Sequence, residues 1–172
     1  MNVGENDDGN NYNLYVAEAD YHIDTALGEG NYRVMVSGTS KANLDPSREN
    51  REPRSALSLS FDQALGPVIG AFLRLGWQRE DTAVDVKTVD SGGLDFKGAA
   101  WGREGDNIGI GYAYLDGGNL KNARSEAVEA YYRLALNDFL ALTGDVQYLK
   151  DGYVDADDVE ACVLSMRAAV EL

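Results

Sequence analysis

The chain has 172 residues, about one domain's worth, with 15 Lys plus Arg against 29 Asp plus Glu and a net charge of −14. That balance excludes a basic nucleic-acid footprint, and one cysteine (Cys162) with one histidine (His22) excludes a disulfide framework, a cysteine metal site and a two-histidine mechanism. No apolar run approaches the ~20 residues of a transmembrane helix, and the polar, acidic stretch Met1–Asn11 lacks a signal-peptide core.

Composition leans toward strands and tight turns: Gly is 19 of 172, Tyr is 10 and Pro only 3. Period-two alternation predicts nine strands. The first, 12–24, puts Tyr15, Ala17, Ala19, Tyr21 and Ile23 on one face. The second, 31–39, aligns Tyr32, Val34 and Val36. The third, 55–63, aligns Leu57, Leu59 and Phe61. The fourth, 67–78, aligns Ile69, Ala71, Leu73, Leu75 and Trp77. The fifth, 92–102, aligns Leu94, Phe96, Gly98 and Ala100. The sixth, 107–115, aligns Ile108, Ile110, Tyr112 and Tyr114. The seventh, 126–136, aligns Val128, Ala130, Tyr132, Leu134 and Leu136. The eighth, 139–149, aligns Leu140, Leu142, Val146 and Tyr148. The ninth, 159–172, aligns Cys162, Leu164, Met166, Ala168, Val170 and Leu172.

None of these apolar-face residues is charged, whereas the opposite faces collect Glu18, Asp20, Arg33, Asp62, Arg74, Asp95, Lys97, Glu129, Arg133, Asp145, Arg167 and Glu171. Alternation alone leaves two folds open. A soluble β-sandwich turns its apolar faces to one shared core; a membrane barrel turns them to lipid and its polar faces to a lumen. Connections 25–30, 64–66, 103–106 and 137–138 read as short, and 40–54, 79–91, 116–125 and 150–158 as long and polar, in strict alternation. Short turns at one end and longer loops at the other are the barrel pattern. Residues 83–88 read as a small extra strand within one long loop. The segments Ala123–Leu142 and Asp158 onward also carry helical spacing, so periodicity leaves strand and helix open there. An odd count of nine, with a periplasmic C-terminus, puts Met1–Asn11 in an external acidic loop and makes the chain the C-terminal part of a longer barrel.

Several motifs then carry a resemblance. Gly76-Trp77-Gln78 precedes Glu80-Asp81; Gly98-Ala99-Ala100-Trp101-Gly102-Arg103 precedes Asp106-Asn107 and Gly109-Ile110-Gly111-Tyr112. Glu126-Ala127-Val128-Glu129-Ala130-Tyr131-Tyr132-Arg133 runs on to Asn137-Asp138-Phe139-Leu140-Ala141-Leu142-Thr143 and Asp145-Val146-Gln147-Tyr148, and Gly30-Asn31-Tyr32-Arg33 matches an earlier hairpin. In this order they resemble the carbohydrate-selective porins of Gram-negative outer membranes (OprB type). Two positions depart: Gly144 stands where the family usually has Pro, and the chain ends in Leu172 rather than an aromatic residue. The resemblance implies an all-β, antiparallel transmembrane barrel of sixteen strands, with residues 1–172 as the C-terminal portion of a single domain. It settles the two ambiguous segments as strands.

The expected activity is passive diffusion of small sugars, with no catalysis and no cofactor. The expected partners are the permeating sugars, outer-membrane lipid and the barrel-assembly machinery, with no nucleic acid. The alternative is a soluble β-sandwich binding module. Lumen-lining residues expected from the polar faces are Arg74, Asp95, Lys97, Glu129, Tyr131, Arg133, Asp145, Gln147, Arg167 and Glu171. Arg133, taken as mid-barrel beside Tyr131, is the expected residue at the narrowest part. Trp77 and Trp101 are expected at opposite ends, as girdle residues. His22 with Glu18 and Asp20 has metal-like spacing but reads better as a solvated stripe, and Asp151, Asp155, Asp157 and Asp158 do not fit an EF-hand loop. Gly109 and Gly111, with no following Lys or helix start, read as small residues that keep the lumen wide. Glu129 and Asp145 as a glycosidase pair is rejected, because both face water and stay ionised. Ser58 and Ser60 lack a His partner.

Overall fold

The structure is a computed structural model that describes residues 2–5, 11–41 and 43–170. Its strands are β1 (Asn2–Glu5), β2 (Asn11–Thr25), β3 (Gly28–Thr39), β4 (Asn43–Leu44), β5 (Arg51–Glu52), β6 (Ser55–Leu65), β7 (Ile69–Gln78) and β8 (Val86–Lys97). A 3-10 turn (Gly98–Trp101) follows, then β9 (Asn107–Gly117), β10 (Asn122–Asn137), β11 (Leu140–Tyr153) and β12 (Val159–Val170). All but β4 and β5 form one antiparallel sheet in the order β1-β2-β3-β6-β7-β8-β9-β10-β11-β12. β4 and β5 form a small hairpin within the loop 40–54. Among the described residues the sheet is open, with β1 and β12 at its edges.

Register places each predicted apolar set on one side. Tyr21 faces Tyr32, Tyr32 faces Phe61 and Phe61 faces Leu73. Farther along, Leu94 faces Ile110, Ile110 faces Ala130, Ala130 faces Val146 and Val146 faces Leu164. This side is open to its surroundings: Tyr21 is 63% exposed, Leu164 78% and Met166 81%. Among the described residues only Val84 and Ala141 are buried apolar side chains. A sandwich needs a second sheet over that face, and among the described residues the only other sheet is the two-stranded β4–β5 pair. So large an exposed apolar face on one sheet is what hydrocarbon covers in a barrel.

Four expectations are corrected. The Met1–Asn11 stretch is not wholly a loop, because Asn2–Glu5 pairs with β2 from Asn2↔Leu14 to Glu5↔Asn11. The nine predicted strands are all present, as β2, β3 and β6 to β12, and among the described residues β1 adds a tenth, so the parity argument built on an odd count does not hold. Gly98 and Ala100 are not strand residues. The Gly98 N–H donates to the Asp106 carbonyl at 2.8 Å and its carbonyl accepts from the Arg103 N–H at 2.9 Å, so the chain folds back where the apolar alternation continues. Finally, 86–88 is no separate strand but the start of β8.

The long-short contrast is weaker than the sequence suggests. Connections at the turn end are 26–27, 66–68, 98–106 and 138–139; those at the loop end are 40–54, 79–85, 118–121 and 154–158. The strands outrun their apolar pattern at the loop end, where polar pairs continue the ladder: Glu126 faces Lys150 and Lys150 faces Glu160. Lys150 contacts Glu160 at 2.9 Å and Asp158 at 3.3 Å. Periodicity detects the apolar band and misses this polar extension.

Candidate functional site: the polar face of the sheet

The polar face is built by the same alternation, one residue out of step with the apolar band. Its centre on β2, β3, β6 and β7 is a chain of opposite charges. Arg33 stands opposite Asp20 and Ser60, and Arg74 opposite Ser60 and Ser91. The small serines leave room for the two guanidinium groups to reach sideways to one carboxylate. Asp62 takes Arg33 Nη2 on Oδ2 at 3.5 Å and Arg74 Nη2 on Oδ1 at 2.6 Å. Arg33 Nε also lies 3.7 Å from Asp20 Oδ2. Arg74 Nη1 donates to the Phe61 and Leu73 carbonyls at 2.8 and 3.1 Å. Half-exposed pairs of this kind contribute only about 0–1 kcal/mol to stability. Their effect is positional: each Arg is held against the wall with planar donors left over for a passing solute.

A second cluster lies toward the turn end. The Tyr131 hydroxyl donates to Asp95 Oδ1 at 2.9 Å, and Asn107 Nδ2 donates to the same Asp95 oxygen at 2.5 Å and to the Tyr131 oxygen at 3.1 Å. Tyr131 faces Gly109 on β9, and its ring lies over that glycine; a Cβ there would sit 2.1 Å from Tyr131 Cε1. Gly109 thus lets the ring lie along the wall.

The full polar face can therefore do one kind of chemistry well. It offers rows of donors and acceptors, fixed by neighbours and open to solvent, along a sheet whose reverse side is apolar. A profile of the carbohydrate-selective porin family, OprB, matches residues 7–172. The chain belongs to the OprB family of carbohydrate-selective porins. No curated protein and no solved structure matches it. The family is one of channels, and its transport class agrees with a strand-built wall that is polar on one side and apolar on the other.

Within this OprB chain, the sequence-predicted lumen residues fall as follows. By register, Arg74, Asp95, Lys97, Glu129, Tyr131, Arg133, Asp145, Gln147 and Arg167 share the polar side. Glu171 lies outside the described residues, as does Leu172. Among the described residues of this set, only Asp95 and Tyr131 are bonded to each other. Asp145 accepts from the Ser165 hydroxyl. Glu129 stands opposite Gln147, and Arg167 opposite Thr143. Arg133 is not at mid-height. It faces Asn107, the first residue of β9, and its Nη1 donates to the Gly105 carbonyl at 2.7 Å in the turn 98–106. It braces the turn-end rim, and the central cations are Arg33 and Arg74.

Sequence reasoning left Asp20, Arg33 and Asp62 out of the candidate site although they stand on its polar face; their mutual spacing only appears once β2, β3, β6 and β7 are paired. Phe72, also on the polar side, gave no signal, because an apolar residue in a polar register looks like noise. His22 lies 3.9 Å from Asp24. Among the described residues no group of three His, Cys, Asp or Glu side chains is placed to hold a metal ion. Trp77 lies at the loop end of β7 and Trp101 in the turn 98–106, at opposite ends of the sheet. Trp101 packs against Tyr132 with ring centroids 6.5 Å apart.

Proposed function

We propose that the chain is the C-terminal part of the wall of an outer-membrane barrel, and that small sugars diffuse passively through its polar lumen. The supporting observation is the division of one sheet into an exposed apolar side and a polar side that carries the Asp20–Arg33–Asp62–Arg74 chain of charges. On this reading lipid covers the apolar side, and the barrel-assembly machinery inserts it. Passive flow uses no nucleotide and no redox group.

The mechanism is exchange of hydrogen bonds. A sugar that enters loses part of its hydration shell. Arg33 and Arg74 replace those water contacts with fixed donors, and Asp62, Asp95 and Glu129 supply acceptors. Each contact is made in a solvated setting and is individually weak, so the sugar is admitted and released quickly; tight binding would stop flow. Mixed charge along the wall limits the penalty for a neutral solute while ions meet groups of either sign.

Liposome swelling tests this reading. Vesicles carrying the full-length porin should swell faster in isotonic monosaccharide than in a neutral amino-acid solute of similar size. Equal rates for the two solutes, through channels of normal conductance, contradict sugar selectivity.

A further inference from the structure

Phe72 breaks the polar register of β7: its neighbours on that face are Gly70 and Arg74, and it stands opposite Asp62 on β6 and Gly93 on β8. Its ring leans sideways along the sheet. A Cβ at Gly93 would sit 2.5 Å from Phe72 Cε1 and 3.0 Å from Cζ, and one at Gly111, a strand farther on, would sit 3.7 Å from Cζ. The two glycines leave room along the sheet for the Cε1–Cζ edge of the ring. Phe72 is nevertheless 38% exposed. It lines an open cleft of about 390 Å³ with His22, Asn31, Asp62, Asp95 and Lys97. Arg74 Cζ lies over the ring, 5.3 Å from its centroid, and so takes one of the ring's two faces.

We propose that Phe72 is the platform of a sugar-stacking subsite, and that its ligand class is a pyranose with equatorial hydroxyls. This inference rests on the sugar-porin reading above and narrows it. Such a pyranose has a flat side of C–H groups, which carry slight positive charge and suit the negative face of an aromatic ring. Its hydroxyls then point outward around the ring plane. The cleft supplies that perimeter with carboxylate acceptors on Asp62 and Asp95 and with ammonium donors on Lys97, which has no hydrogen bond or ion pair from its side chain among the described residues. An open-chain polyol has the same hydroxyls but no continuous C–H face, so the platform distinguishes the two.

The test measures block of single-channel ion current through the full-length porin in planar bilayers, with D-glucose and the open-chain hexitol sorbitol as probes. Phe72→Ala should raise the half-blocking glucose concentration about three- to tenfold, the range expected for loss of one aromatic stacking contact, and leave sorbitol unchanged. Phe72→Trp should retain glucose block. Where Phe72→Ala fails to reach a heat-modifiable barrel, Phe72→Leu keeps the bulk without the π face and carries the same expectation. Glucose block that survives Phe72→Ala or Phe72→Leu overturns the subsite while the porin function stands. Equal loss of glucose and sorbitol block also overturns it, because stacking is then not what was removed. Wild-type channels that conduct ions but show no glucose block overturn the subsite, and equal swelling rates in the liposome assay would separately overturn sugar selectivity.

Discussion

The Asp106 carboxylate accepts the Ala135 backbone N–H at 2.9 Å, joining the turn 98–106 to the end of β10. The side chain of Asp106 is almost wholly enclosed, and it also receives Arg103 Nε at 2.5 Å and the Tyr132 hydroxyl. One carboxylate therefore fixes the turn, the neighbouring strand and a ring on the apolar side. Its hydrogen bond from Arg103 holds the Asp106 carboxyl at about 2, against an ordinary 3.8; burial opposes the shift, and Tyr132 and Ala135 add to it.

Asp106→Ala should lower the temperature at which the barrel loses its heat-resistant form. A carboxylate with a lowered folded-state pKa stabilises fully above its unfolded value and loses that contribution as pH falls through the folded value. The gap between wild type and variant should thus be constant above pH ~4 and close as pH falls from 3.8 toward about 2. Thermal melts followed by tryptophan fluorescence across this range check it. A gap that instead opens on acidification would contradict the assignment.

Leu164 stands opposite Val146 on the apolar side, whereas its neighbour Ser165 stands opposite Asp145 on the polar side. Leu164→Arg should cost about 2–4 kcal/mol if it lies near the bilayer midplane. Ser165→Arg should be tolerated, since its charge meets water and Asp145. Leu134→Arg should fall between them, because Leu134 is close to the turn end of β10. Heat-modifiability on gels ranks the three, and equal damage at Leu164 and Ser165 would defeat the assignment of faces.

Arg74→Gln leaves Asp62 with a single guanidinium partner and removes a central cation. The reversal potential should move toward cation preference, and Asp62→Asn should move it the opposite way. Arg133→Gln should have a smaller effect, since Arg133 is committed to the Gly105 carbonyl at the rim. Single-channel reversal potentials in a salt gradient make the comparison. A larger shift at Arg133 than at Arg74 would return the selectivity site to the position expected from sequence.

Gly109→Ala places a methyl group where the Tyr131 ring lies, so the ring must lift off the wall and give up Asp95 or Asn107. Overpacking of this kind costs roughly 1–3 kcal/mol. Conductance should fall, because the displaced ring stands in the lumen. Restoring conductance by adding Tyr131→Ala would confirm the cause; a fall that Tyr131→Ala leaves in place would reject it.

Much of this was legible in the residues themselves. Period two marked each main strand except the four-residue β1, and one register put Tyr21, Tyr32, Phe61 and Leu73 on a common side before any pairing was known. The ends were less legible for a physical reason. Alternation records which side is apolar, so it stops where β8 to β11 continue as polar ladders above the apolar band, and it runs on falsely through Gly98 and Ala100, where small residues fit a turn as well as a strand. The site was half legible. Side-chain parity finds the polar face, but height along the barrel depends on register between strands, so Arg133 was placed at mid-height and the Arg33–Asp62–Arg74 contacts went unseen. Phe72 needed Gly93 and Gly111 on two other strands to give it meaning.

The central claim, that one side of this sheet meets water and the other lipid, is tested most directly along β10. In a Cys162→Ser background of the full-length porin, single cysteines at 127 to 132 are treated in membranes with a water-soluble maleimide. Ala127→Cys, Glu129→Cys and Tyr131→Cys should label, and Val128→Cys, Ala130→Cys and Tyr132→Cys should not. Labelling at 128, 130 and 132, or at all six positions alike, would contradict it.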